Sequence, residues 1–247
     1  MYKIFYFEKF EFDKKTLKAN FFYSFDWVLK FEEIIEFWDD NFLCKKDLDD
    51  NIINNILSSI HIALWISYYK FYPTKKLIVK TLDLDDKSKI FWKKFYLNWL
   101  WEFFYKNNIN PKNLLDFEFT WIKLQKRDFI TSNKSLVPVW WWKDSIVSIE
   151  LLKKIQEKFD LFTFWQDNIL YENTQKNSKK NRLIIKRTLS KNIQEIISKD
   201  WYNWHVPITW IIAFCMIIVA YLYDYKYLIL SNEKSANFWN TKWNWIL

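Results

Sequence analysis

A chain of 247 residues is long enough to bury a full hydrophobic core, so neither disulfides nor a structural metal is needed to hold it together. Its formal charge of +8 rests on 37 basic residues, of which only Arg127, Arg182 and Arg187 are arginine; the lysines are spread rather than clustered, which excludes a compact basic patch as the first reading. Composition also excludes an ordinary glycine supply, because about 7% glycine, or roughly 17 residues, is normal at this length, whereas the chain has no glycine and 17 tryptophans.

Residues 2–12 and 16–25 alternate apolar and polar side chains on either side of Asp13-Lys14-Lys15, which predicts a β-hairpin. Residues 47–72 switch to a helical period, with Ile52, Ile56, Ile60 and Leu64 on one stripe and Pro73 as the stop. A second helix is predicted over residues 87–107, opened by Asp85-Asp86 and closed by Asn107-Asn108 ahead of Pro111, and residues 114–119 read as a strand. Residues 1–133 therefore read as a smaller α+β unit.

From residue 134 the pattern becomes strand (136–139), turn-rich loop, helix (146–158) and strand (161–164). A polar loop (172–180, ENTQKNSKK) follows, then strand (183–186), helix (189–198), helix (208–223) and strand (227–230). That order predicts an α/β domain over 134–247 with a parallel sheet, whose ligands bind beyond the carboxyl ends of the strands. Residues 140–145 and 231–237 both fall there. The most apolar run, residues 210–223, is shorter than the roughly 20 residues that span a bilayer, and reads as a buried helix. The N-terminus lacks a signal-peptide core, and Cys44 and Cys215 are too far apart for metal or redox spacing. A cytoplasmic protein with reduced thiols and no membrane partner is expected.

The tryptophans fall where glycine belongs. Trp38 precedes Asp39-Asp40, Trp165 precedes Gln166-Asp167, Trp201 and Trp204 bracket Tyr202-Asn203, and Trp239 precedes Asn240; Trp140, Trp141 and Trp142 follow Leu136-Val137-Pro138-Val139. These are turn sites, and a fold without glycine must make every tight turn without the one residue that enters positive φ freely. The codon UGA is tryptophan in some genetic codes and glycine in others. Most of these tryptophans are therefore expected to be glycines whose UGA codons have been translated as tryptophan, with Trp92 and Trp243 as true tryptophans. The alternative is a non-catalytic, basic, aromatic-rich binding protein, in which the tryptophans are real.

With glycine at 140–142, VPVWWWKDS becomes V-P-V-G-G-G-K-D-S and resembles the S-G-G-x-D-S loop of the PP-loop ATP pyrophosphatases, Trp140 standing where that loop has its first serine. Consecutive glycines let backbone N–H groups close around a pyrophosphate, the following helix adds its N-terminal dipole, and Lys143 and Ser145 add donors. Trp140, Trp141, Trp142, Lys143, Asp144 and Ser145 are thus the ATP-binding candidates. The bland reading is a glycine-rich strand-to-helix turn without a ligand. In DWYNWHVPITW (200–210), Asn203 is a contact candidate and His205 an acid/base candidate in a turn before a buried helix. In SNEKSAN (231–237), Ser231, Asn232, Ser235 and Asn237 are candidate substrate or nucleotide contacts, and Glu233 pairs with Asp144 as a candidate Mg²⁺ ligand. Lys143 and Glu233 join His205 as catalytic candidates.

The segments IHIALWISYYKFYP, FWKKFYLNWLWEFFYKN, LVPVWWWKDSIVSIELLKK, NWHVPITW and LSNEKSANFWN occur in an order that resembles the UDP-N-acetyl-α-D-muramoyl-L-alanyl-L-glutamate epimerase family. Members of that family carry glycine at positions equivalent to Trp65, Trp99, Trp101, Trp140, Trp141, Trp142, Trp204 and Trp239, and they continue well beyond SNEKSAN. The resemblance implies an N-terminal portion with a PP-loop-like fold. It also implies inversion of the terminal L-Glu of UDP-MurNAc-L-Ala-L-Glu for peptidoglycan, with ATP cleaved to AMP and diphosphate. Activating the carboxylate removes the charge that opposes loss of its α-proton; Lys143 and backbone N–H groups would hold the pyrophosphate, and His205 would be one proton carrier. Another PP-loop ATP pyrophosphatase, amide-forming or RNA-modifying, would share the loop but not FWKKFYLNWLWEFFYKN. No basic aromatic face for RNA is apparent, so no nucleic-acid partner is expected.

Overall fold

The computed structural model describes residues 2–45, 47–82, 84–119, 131–139, 143–164, 169–198, 202 and 208–231. The alternating N-terminal residues form β1 (Ile4–Asp13) and β2 (Lys18–Phe25), an antiparallel hairpin as expected, and the meander continues into β3 (Leu29–Glu36). One face of the hairpin buries Phe5, Phe7, Phe21, Tyr23 and Phe25 beneath α1 (Asp50–Leu64), whose Asp49 cap accepts from the backbone N–H groups of Asn51 and Ile52. The helix predicted over 47–72 is two: α1 stops at a fully buried Trp65, and α2 (Ile66–Tyr69) resumes after it.

β4 (Lys76–Val79) pairs parallel with β1. α3 (Asp86–Trp99) starts where predicted, with the Asp85 carboxylate accepting from Ser88 N at 2.7 Å. The predicted second helix is interrupted at Leu100 before α4 (Trp101–Lys106), and β5 (Asp116–Phe119) pairs parallel with β4.

The second half runs β6 (Ser135–Pro138), α5 (Lys143–Lys154), β7 (Phe159–Phe164), α6 (Ile169–Ser178), β8 (Arg182–Thr188), α7 (Ile193–Ile197), α8 (Ile208–Tyr223) and β9 (Tyr227–Leu228). The segment expected to be a polar loop, 172–180, is instead mostly helix α6. Its Glu, Gln and Lys residues are good helix formers, and Tyr171 and Ser178 are buried on its inner side.

Among the described residues all strands join one nine-stranded sheet, ordered β5-β4-β1-β2-β3-β8-β7-β6-β9. It is mixed α/β rather than wholly parallel: β9-β6-β7-β8 and β1-β4-β5 are parallel, and the β1-β2-β3 meander and the β3-β8 seam are antiparallel. At the seam, Arg187 of β8 pairs through Nε with the carboxylate of Glu33 on β3, both side chains being at most 2% exposed, and Arg187 Nη2 donates to Ser67 Oγ at 2.8 Å. The Asp39 carboxylate also accepts from Ile184 N at 2.9 Å. A buried core runs from the meander through α1 and α8 to one face of β6–β8, and a small second core lies under α5 on the other face. Among the described residues no helix is long and apolar enough to cross a membrane.

Candidate functional site

From β6 the chain steps outward to β7 and then β8, and afterwards returns to β9 on the opposite flank of β6. Strand order therefore reverses between β6 and β9. In open α/β sheets the two connections leaving such a pair diverge to opposite sides, and the crevice they leave at the carboxyl edge is where ligands bind. The two polar segments expected at that edge follow these two strands: 140–145 leaves β6 and 231–237 leaves β9.

The chain that continues from each of these strands meets the other one turn into α5. α5 opens at Lys143 directly after residues 140–142, with Lys143 exposed, Asp144 half-buried and Ser145 buried. One turn further on, Ser148 Oγ lies 2.7 Å from Ser231 Oγ in a hydrogen bond that ties α5 to the chain leaving β9. The strand-to-helix transition keeps the first backbone N–H groups of a three-turn helix at the carboxyl end of β6, the arrangement that favours an anion. Trp140, Trp141, Trp142, Asn203, His205, Asn232, Glu233, Ser235 and Asn237 lie outside the described residues. Among the described residues no group of three or more His, Cys, Asp or Glu side chains has a metal-binding arrangement.

The crossover from β8 to β9 brings the chain back from the carboxyl edge through α7 and α8. The C-terminal end of α8 abuts the amino end of β6, where Ser132 Oγ donates to Asp224 O and Lys226 N donates to Lys134 O at 2.9 Å.

Sequence reasoning missed three features. Ser148 looked like any helical serine, and only the fold shows its partner 83 positions away. His61 is fully buried in α1, bonded through Nδ1 to Thr81 Oγ1 at 3.0 Å and through Nε2 to Phe22 O at 3.2 Å; burial lowers its pKa to about 3, so it is a neutral structural histidine. The third is the turn joining β2 to β3. Val28 N donates to Phe25 O at 2.9 Å, and the two central residues, Asp26 and Trp27, have φ of 47° and 61°. Positive φ at both positions is a type I′ turn, whose preferred pair is Asn-Gly or Asp-Gly. Here the second position carries an indole that is 43% exposed.

Tryptophan is also crowded inside. The Nε1 atoms of Trp65 and Trp210 are both buried beside Tyr96, and the Trp210 and Phe95 ring centroids are 3.5 Å apart. Tyr96, which packs edge-on against Trp65, donates a hydrogen bond to Ile62 O.

The class defined by this architecture is a mixed α/β protein whose parallel strands have a switch point between β6 and β9. More particularly, the chain belongs to the MurL N-terminal domain family, which it matches over residues 1–245. It is 23% identical over 188 residues to the UDP-N-acetyl-alpha-D-muramoyl-L-alanyl-L-glutamate epimerase of Xanthomonas oryzae pv. oryzae (strain MAFF 311018), a match covering 75% of this chain and 41% of that relative. The chain thus spans less than half the length of the curated relative it matches. No solved structure matches it.

Proposed function

We propose that this chain carries the nucleotide-binding part of an epimerase that inverts the terminal L-Glu of UDP-MurNAc-L-Ala-L-Glu to D-Glu in the cytoplasm, cleaving ATP to AMP and diphosphate. The observation that carries the reading is the switch point: in a chain of this family, α5 and the segment leaving β9 meet there through Ser148 and Ser231. On this reading the backbone of 140–142, Lys143 and Ser145 hold the phosphates in a PP-loop-like manner. Asp144 and Glu233 hold Mg²⁺, and Asn203, Ser231, Asn232, Ser235 and Asn237 contact substrate or nucleotide. ATP supplies activation of the substrate carboxylate, so that its α-proton becomes acidic enough for His205 to move. Asp144 fits the metal role because it stands in the first turn of α5 and keeps part of its surface open to solvent.

The cradle requires glycine at 140–142, since indoles would fill the space a pyrophosphate needs. The same substitution, glycine encoded by UGA and written as tryptophan, accounts for the absence of glycine from the chain. The Asp26-Trp27 turn supports it independently, as does the crowding around Trp65 and Trp210.

The test uses the full-length protein made with glycine at 140–142, incubated with UDP-MurNAc-L-Ala-L-Glu, ATP and Mg²⁺ in D₂O. AMP release and deuterium uptake at the glutamate α-carbon are expected together. Asp144→Asn should slow AMP release more than about tenfold, whereas His205→Ala should retain AMP release and lose deuterium uptake. Release of ADP, or inversion without nucleotide, overturns the reading. UGG at all of the tryptophan codons overturns the glycine assignment.

A further inference from the structure

The helix that follows the candidate loop has two unlike faces. Ile149 and Leu152 of α5 point inward and share the small core with Val137, Val139 and Leu161. On the outer side Val147 and Leu151 lie four residues apart on α5, and Ile155, just past the helix end with its N–H donating to Leu151 O, continues the stripe, with Ile146 alongside. These four are between 53% and 70% exposed. The Ser148–Ser231 bond brings the backbone at Val147 close to that at Leu230, which is itself 48% exposed. β9 is the end strand of the sheet among the described residues. An apolar helix stripe beside a sheet edge is a surface that folded chains cover.

We propose that this surface, the outer face of α5 with Leu230 beside it, is the seat of the C-terminal region of the full-length polypeptide. The length of the family's proteins identifies the occupant. The match is to an N-terminal domain, and well over half of the curated relative lies outside the part this chain aligns with. Position gives the docking a function. The stripe begins at Ile146, directly after Lys143-Asp144-Ser145 at the start of α5, so a region seated on it stands beside the switch point and is placed to bring further groups to that crevice. The proposal rests on family membership and the exposed stripe, not on ATP chemistry, so either can fail without the other.

Thiol labelling tests it. In a Cys44→Ser background, where the remaining Cys215 is fully buried, one exposed cysteine at a time is introduced as Val147→Cys, Leu151→Cys and, as a remote control, Val28→Cys, which lies in the β2–β3 turn at a site 75% exposed. Maleimide labelling is timed in the 247-residue chain and in the polypeptide translated from the whole gene. Labelling at 147 and 151 should slow by about tenfold or more in the longer polypeptide, as expected for the core of an interface, while position 28 is unchanged. Leu151→Asp should leave the melting temperature of the 247-residue chain unaltered and restore fast labelling of Val147→Cys in the longer one. Equal rates in the two polypeptides, or a gene that stops at residue 247, overturn the proposal. Slow labelling in the 247-residue chain also overturns it: if sedimentation shows a dimer, a second copy is the occupant, and if truncation to residues 1–231 restores the rate, the chain's own tail is.

Discussion

The two faces of β6 and β7 have opposite fates. Leu136 and Phe162 point into the continuous core shared with the meander, α1 and α8, whereas their neighbours Val137 and Leu161 point into the small core under α5. One residue of displacement along a strand switches the side chain from one face to the other. The deep face couples these strands to the N-terminal half, and the shallow face carries the loop and helix to which the candidate chemistry is assigned. The scaffold is thus anchored from behind, leaving the front to be completed.

The hardest way to break that anchoring is at the seam. Arg187→Met leaves the Glu33 carboxylate buried without its cation, and should lower unfolding free energy by about 3–5 kcal/mol. Glu33→Leu combined with Arg187→Met should recover much of the loss, because the desolvation cost of both charges disappears. Chemical denaturation of the single and double variants measures both effects.

An effect spread over pH rather than concentrated in one contact comes from His61, on the deep side. Folding holds it neutral down to about pH 3, whereas in the unfolded chain it gains a proton near pH 6.5. Between those values the unfolded state binds more protons, so stability falls as pH is lowered through the window. The slope from this residue is at most about 1.4 kcal/mol per pH unit and vanishes above pH 6.5. His61→Gln should remove that part of the acid slope, as read from melts across pH 4–7.

The smallest change sharpens the comparison at a surface turn. Trp27→Gly relieves a bulky residue at φ 61° but gives up ring packing on Tyr6, with centroids 4.5 Å apart. A net gain of about 1 kcal/mol is expected, because the left-handed conformation costs a non-glycine residue roughly 1–2 kcal/mol. A fall in melting temperature would mean that the indole packing outweighs the backbone strain.

Elements with a clean period were legible in the sequence. The β1–β2 hairpin, the strand–loop–helix unit from residue 135 and helix α8 follow from alternation or from continuous apolarity. β3 was obscured by adjacent Glu32 and Glu33, since a buried carboxylate makes sense only once Arg187 is seen opposite. α6 was obscured because few of its residues face a core, so its apolar period is weak. Near the candidate site, what was legible was the pair of strands, β6 and β9, from which 140–145 and 231–237 continue, since each is a short apolar run ahead of a polar segment. The Ser148–Ser231 contact depends on β9 returning beside β6, and no local pattern encodes that pairing.

The β2–β3 turn reaches beyond conformation. Steric limits on φ hold whatever translation table produced the written sequence, so a backbone that places an indole where Asp-Gly belongs bears on codon assignment. Cleavage after Lys18 and Lys30 releases residues 19–30, a peptide whose only tryptophan is Trp27. Weighing that one peptide from native protein would compare the geometry of a turn with the decoding of a single triplet.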